Sequence, residues 1–339
     1  MVGHRSSLAG SLFDGCKNEK AIKFHFSSTI TEAKFLPKPS FLVTPREGEP
    51  YRVECDVFLA ADGVKSPTRI QMLTELGETA DVQDTGQAAY RIMLTREQMA
   101  HDPELSALIE NDTVTRWIGE KRHIIAYPIA NKTIYNISTA QPDTHFAAAP
   151  SATYTTRGSK KDMLKTYDDY CPMIHRMLDL VPEGEVCEWK LRVHQPLSTW
   201  VRGSAALVGD ACHPTLPHLA QGAAQAIEDA AVLGVVLAPE RIADRNPETI
   251  NKALKIYESV RKDRAEALVE LAAENGRQMH LGTGKAKEER DKMFAALKTG
   301  KGPVPDKWAD ADVQRMIYGH DCVKVAEEAC AEAGFGPKL

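Results

Sequence analysis

The 339-residue chain contains no apolar run long enough to cross a bilayer, which takes ~20 residues in a helix. Its opening residues, MVGHRSSLAG, lack the apolar stretch of a secretory signal. Neither a membrane span nor export is expected, and a cytoplasmic protein is. Cysteines are few and unpaired in spacing. The seven, at positions 16, 55, 171, 187, 212, 322 and 330, are odd in number and include no CxxC, which argues against a disulfide framework or a zinc site and for a reducing compartment. No metal site is expected. Basic clustering is missing as well: 42 Lys and Arg stand scattered against 47 Asp and Glu, so there is no footprint for nucleic acid. Internal repeats and low-complexity tracts are also absent. What remains, 43% hydrophobic and 26% charged residues, is the composition of ordinary globular domains with room for a sizeable core.

Residues 51–60 (YRVECDVFLA) read as a strand that runs straight into the turn Ala61-Asp62-Gly63. Ser66-Pro67 then pairs an N-cap residue with proline at the first helical position, which predicts a helix over RIQMLTEL. From about Ala88 to Gln141 the short apolar segments AAYRIML, TRWIG, RHIIAYPI and TIYNIST, separated by turn residues, predict an antiparallel sheet. Residues 161–180 carry helical periodicity broken at Pro172. A second strand, turn and helix follow in SAALVGD and LAQGAAQAIEDAAVLGVVL, where Gln221, Gln225, Glu228 and Asp229 draw one narrow polar stripe on an otherwise apolar helix. Another long helix is predicted over about 250–279, and GKGPVP reads as a loop. The order predicts an α/β fold, a nucleotide-type domain interrupted by an antiparallel β-sheet domain. Its expected segments are 1–80, the β-rich 81–195, 196–280, and a C-terminal helical tail at 281–339.

The chemistry concentrates between Leu207 and Ala224. Gly209-Asp210 ends a strand, where a carboxylate is placed to accept hydrogen bonds from the hydroxyls of a sugar-like chain. A proline-rich loop containing Pro217 leads to Gln221, Gly222, Ala223 and Ala224, whose small side chains let backbone N–H groups at a helix N-terminus approach an electron-rich atom.

The string GDACHPTLPHLAQGAAQAIEDAAVL closely resembles the GD motif of group A flavoprotein monooxygenases, and DVFLAADGVKSPTR resembles their DG motif. His4-Arg5 with Leu8 is similar to the family's HRxxL segment. From Trp189 through Trp308 the chain is most similar to the salicylate-hydroxylase-like branch, including WKLRVHQPLSTWVRGSAALVGDACHP. The resemblance implies a two-domain enzyme that uses FAD, NAD(P)H and O2 to place one oxygen atom on an aromatic or other electron-rich small molecule. It implies that Asp210 binds the ribityl chain and that the backbone around Gln221, Gly222, Ala223 and Ala224 faces the pyrimidine end of the flavin. Asp62 and Gly63 would lie near the pyrophosphate, and Arg5 would contact FAD.

His213 is the candidate base for removing a phenolic proton, against the alternative of a ring packed on Pro214 that only shapes the loop. His218, Tyr90 and Arg91 are candidate substrate contacts, Arg91 through a substrate carboxylate. Cys212 is expected to be a packed thiol. The family's opening strand, GxGxxG turn and helix, which hold the ADP half of FAD, have no counterpart here, so roughly a hundred residues are expected to precede this chain in a complete enzyme. The chain as written is accordingly expected not to retain FAD. A flavin-free, non-catalytic fragment and a related flavin epoxidase or oxidative cyclase stay open as alternatives, because the motifs describe only the cofactor site.

Overall fold

In the computed structural model, residues 5–79, 81–144, 155–300 and 302–336 are described, the side chain of residue 5 excepted. The fold is mixed α/β. Two compact units divide the chain: one holds residues 1–24, 84–191 and 277–302, the other residues 25–83, 192–276 and 303–339. The stretch expected as one helical tail is therefore shared between the units.

The first unit is built on a six-stranded sheet. Gln83–Thr95, Thr115–Gly119, Arg122–Ile129 and Ile134–Pro142 pair antiparallel, as their spacing predicts, and Cys187–Val193 and Thr155–Arg157 complete the sheet. Period-two alternation sends Tyr90, Ile92 and Leu94 into a core shared with Tyr167, Ile174, Met177 and Leu178, while Arg91 and Met93 point to the other face and stay exposed. Proline at the first turn starts the helix Pro172–Asp179 as a separate element after Lys160–Thr166.

The second unit carries both sequence motifs. The run 51–60 is not one strand. Tyr51–Glu54 pairs antiparallel with Ser40–Pro45, whereas Phe58–Ala60 joins a different sheet beside Ala205–Leu207. Between them Cys55 N–H bonds to the Pro39 carbonyl and Lys38 bridges Glu54 and Asp56, so local pairing diverts a run whose apolar pattern looks continuous.

Phe58–Ala60 and Ala205–Leu207 run parallel in the register Phe58↔Ala205 to Ala60↔Leu207. Parallel strands end on the same side. The loops carrying Asp62 and Asp210, 210 − 62 = 148 positions apart, therefore leave the sheet together at its carboxyl end. Beneath them Trp200, Leu207, Ala211, Val232 and Tyr257 belong to one buried cluster, covered by the helices Gly222–Val236 and Pro247–Met279.

Candidate functional site

Each motif loop is shaped by local chemistry. After Phe58–Ala60 the chain turns through Asp62 and Gly63, whose φ of 80° a side chain would resist. The Ser66 hydroxyl accepts from Arg69 N–H at 2.8 Å and caps the helix Pro67–Thr74, while an Asp62 oxygen accepts from Thr68 N–H at 3.2 Å. Asp62 remains exposed.

After Ala205–Leu207 the chain enters a single 3₁₀ turn at Gly209 with φ 61°, and Asp210 projects from it, exposed, between buried Gly209 and Ala211. A second 3₁₀ turn, Pro217–Leu219, leads through Ala220 in the left-handed region to Gln221, the N-cap of Gly222–Val236. Gln221 makes no side-chain capping bond and the first helical turn bears no acidic residue. The N–H groups of Gly222, Ala223 and Ala224 are thus left to whatever approaches the positive end of the helix. A Cβ on Gly222 would come within 3.3 Å of the Thr215 methyl group.

The two loops are joined by Arg69, a residue that the sequence reading did not single out. Its buried guanidinium donates to the Val64 carbonyl at 2.9 Å and to the Ala211 carbonyl at 3.2 Å, one in each loop. Burial pushes its pKa down and nearby Asp62 opposes that. Its position in DGVKSPTR is visible in sequence, but its partner lies 142 residues away.

His213 does not stand open as a base. Its ring is buried beside Trp200, centroids 5.2 Å apart, and Nε2 donates to Asp229 Oδ2 at 2.6 Å. Asp229 also accepts from Gly209 N–H at 2.9 Å and from Arg261 Nε at 2.8 Å. Burial pushes the Asp229 carboxyl up, yet His213 and Arg261 outweigh it and hold the group below the ordinary aspartate value. The polar stripe seen in sequence is explained: Gln225, Glu228 and Asp229 face Arg261 and Arg264 of the long helix. A stripe of acids on an apolar helix calls for cations, but sequence does not say which.

Two other expected substrate contacts are buried. Tyr90 lies wholly in the core of the first unit, where burial pushes its hydroxyl well above its ordinary pKa, a packed position and not one that opens toward solvent. His218 is 1% exposed, its ring against Gly276, where an added Cβ would come within 2.4 Å of it, so it too packs rather than projects. Cys212 is a packed thiol as expected, and burial raises its pKa well above the usual value. Arg91 is exposed on its sheet, cross-strand from Ser138. Pro217 opens its 3₁₀ turn half-buried. Arg5 opens the helix Arg5–Lys17, and its side chain lies outside the described residues.

His194, also unforeseen, lies beneath the Asp210 turn. Its Nδ1–H donates to the Gln195 carbonyl at 2.7 Å, and burial, with Arg69 nearby, lowers its pKa to about 4. The folded state therefore rejects a proton that the unfolded chain accepts near pH 6.5. Stability from this group is full above pH 6.5 and falls away as pH drops toward 4, by about 2–4 kcal/mol. Urea unfolding across that window should show a steeper loss for the native protein than for His194→Gln; equal slopes would contradict the assignment.

A family model described as "FAD binding domain" matches residues 19–272 of this chain. The FAD-dependent monooxygenase OpS4 of Beauveria bassiana (strain ARSEF 2860) is 34% identical over 283 residues, 83% of this chain and 63% of that protein. The 3-hydroxybenzoate 6-hydroxylase of Polaromonas naphthalenivorans (strain CJ2) is 27% identical over 318 residues, 94% of this chain and 71% of that protein. A solved salicylate hydroxylase substrate complex superposes with a TM-score of 0.75 at 23% identity, covering 96% of this chain and 75% of that one, a likeness of fold. The chain thus spans less than two thirds of the length of the relative from Beauveria but keeps both parallel strands and the loops that follow them. The matched region contains the exposed Asp210, its pinned turn and the uncapped helix beyond, and the chain belongs to the FAD-binding domain family.

Proposed function

We propose that this chain carries the flavin-side and substrate-side residues of an FAD-dependent monooxygenase that uses NAD(P)H and O2 to hydroxylate a small aromatic compound. The observation that supports it most is the pairing of an exposed carboxylate, Asp210, with a helix N-terminus bare of side-chain caps. That donor set fits the hydroxyl-rich ribityl chain and the carbonyl-bearing ring end of FAD. When bound, FAD would accept a hydride from NAD(P)H and activate O2. Asp210 would accept from ribityl hydroxyls, and the N–H groups of Gly222, Ala223 and Ala224 would favour negative charge at the ring. Asp62 and Gly63 would serve the pyrophosphate side. Among the described residues no strand, glycine-rich turn and helix is present for the ADP half.

His213, with Nε2 committed to Asp229, acts in this reading by holding the turn and not by taking the substrate proton. The names of the relatives favour a hydroxylated benzoate as substrate. Arg91 would meet its carboxylate, and, being exposed, should contribute modestly: Arg91→Ala raises KM about fivefold for benzoates and leaves phenols without a carboxylate unchanged. Equal effects on both classes would remove Arg91 from substrate binding. The function itself is tested by titrating the purified chain with FAD at equilibrium, without desalting, following flavin fluorescence, and by recording hydroxybenzoate-stimulated NAD(P)H oxidation in excess FAD. Saturable flavin binding with substrate-stimulated oxidation supports the proposal. No binding even at excess FAD, with no stimulated oxidation, favours the flavin-free reading.

A further inference from the structure

We infer that Asp229, clamped by Arg261, is a positioning residue for flavin binding: the pair sets the turn that aims Asp210 while itself lying out of reach of the cofactor. The inference rests on the flavin reading above. Both side chains are fully buried. One carboxylate oxygen, Oδ2, receives Gly209 N–H at 2.9 Å and His213 Nε2–H at 2.6 Å, so the two ends of the turn 209–213 are tied to a single atom. The backbone closes the same loop, His213 N–H donating to the Gly209 carbonyl at 3.0 Å. Asp210 lies between these anchors and is the exposed residue of the turn. Its direction is thereby determined by a side chain on the following helix.

The clamp has its own brace. Arg261 donates Nε to Asp229 Oδ1 at 2.8 Å and Nη2 to Gln225 Oε1 at 2.6 Å, and pairs with Glu228. Arg264 holds both Glu228 oxygens, at 2.8 and 2.9 Å, and reaches the carbonyls of Met316 and Ile317 at 3.1 and 3.0 Å. The orientation of Arg261 is thus set by the helix Gly222–Val236, with Glu228 anchored in turn to the C-terminal segment. Gly209 has a left-handed φ of 61°, and its N–H is pinned only while the Asp229 carboxylate is in place.

The test uses the full chain and two readouts. Amide hydrogen exchange in the flavin-free protein reports the Gly209 N–H, and FAD titration followed by flavin fluorescence and absorption reports the cofactor. Asp229→Ala should speed Gly209 exchange and weaken FAD binding, each roughly tenfold or more. It should also shift the flavin absorption bands, at unchanged circular dichroism. Arg261→Lys, which keeps the charge but cannot span Asp229 and Gln225 together, should fall between. If Asp229→Ala does not fold, Arg261→Lys carries the test. A folded variant that binds FAD as tightly as the native chain, with the same bands, overturns the positioning role. A native chain that binds no FAD, its Gly209 amide still protected, overturns the flavin reading and the role with it.

Discussion

Trp200→Ala is expected to cost about 3–5 kcal/mol of stability, the usual range for emptying a large, fully buried aromatic site. The indole is 0% exposed and packs against the rings of His213 and Tyr257, with centroids 5.2 and 6.0 Å away. Tyr257 in turn donates its hydroxyl to the Leu207 carbonyl at 3.0 Å, at the end of the strand that feeds the Asp210 turn. The cavity would therefore open between the long helix and the motif strand, where neither element can close inward without breaking that bond. Urea unfolding monitored by far-ultraviolet dichroism measures the loss. A change below about 1 kcal/mol would mean that the site collapses easily and that Trp200 does not support the turn.

Asp210→Ala is expected to weaken FAD binding ten- to a hundredfold, because losing a charge-assisted hydrogen bond removes about 1.5–3 kcal/mol. The side chain is exposed, so the fold should be little changed. Affinity and stability are thereby separated. Asp210→Asn, which keeps an acceptor oxygen but not the charge, should lose less. Fluorescence titration with FAD decides. An alanine variant as tight as the native chain would show that Asp210 is not the ribityl contact, whatever the family pattern implies.

These two residues belong to one piece of architecture read from opposite sides, Asp210 above the carboxyl end of the parallel pair and Trp200 below it. The contrast with His213 is instructive. A histidine next to the motif aspartate has the right chemistry for a base, and the sequence alone leaves both a catalytic and a packing role available. Tertiary contact favours the packing role: Asp229 bonds the ring at 2.6 Å and Trp200 lies against it, so the imidazole is engaged by the turn. Tyr90 and Arg91 both stand as candidate substrate contacts at the start of the sheet, but neighbours in a strand point to opposite faces. Only one of them can reach solvent.

What the sequence by itself determined is the set of features encoded locally: the α/β class, the antiparallel segments between about 88 and 141, the Ser66 cap with Pro67, the turns at Asp62 and Asp210, and the polar stripe from Gln221 to Asp229. Capping, turn chemistry and periodicity act within a few residues, so they are legible without partners. Only the tertiary structure decided that 51–60 splits between two sheets and that Arg69 joins the two motif loops. It alone decided that Arg261 and Arg264 answer the acidic stripe from more than thirty residues away, and that His213, His218 and Tyr90 turn inward. A buried ionised group must find an opposite charge or a donor. Which one it finds depends on how helices and strands pack in space, and no local pattern carries that choice.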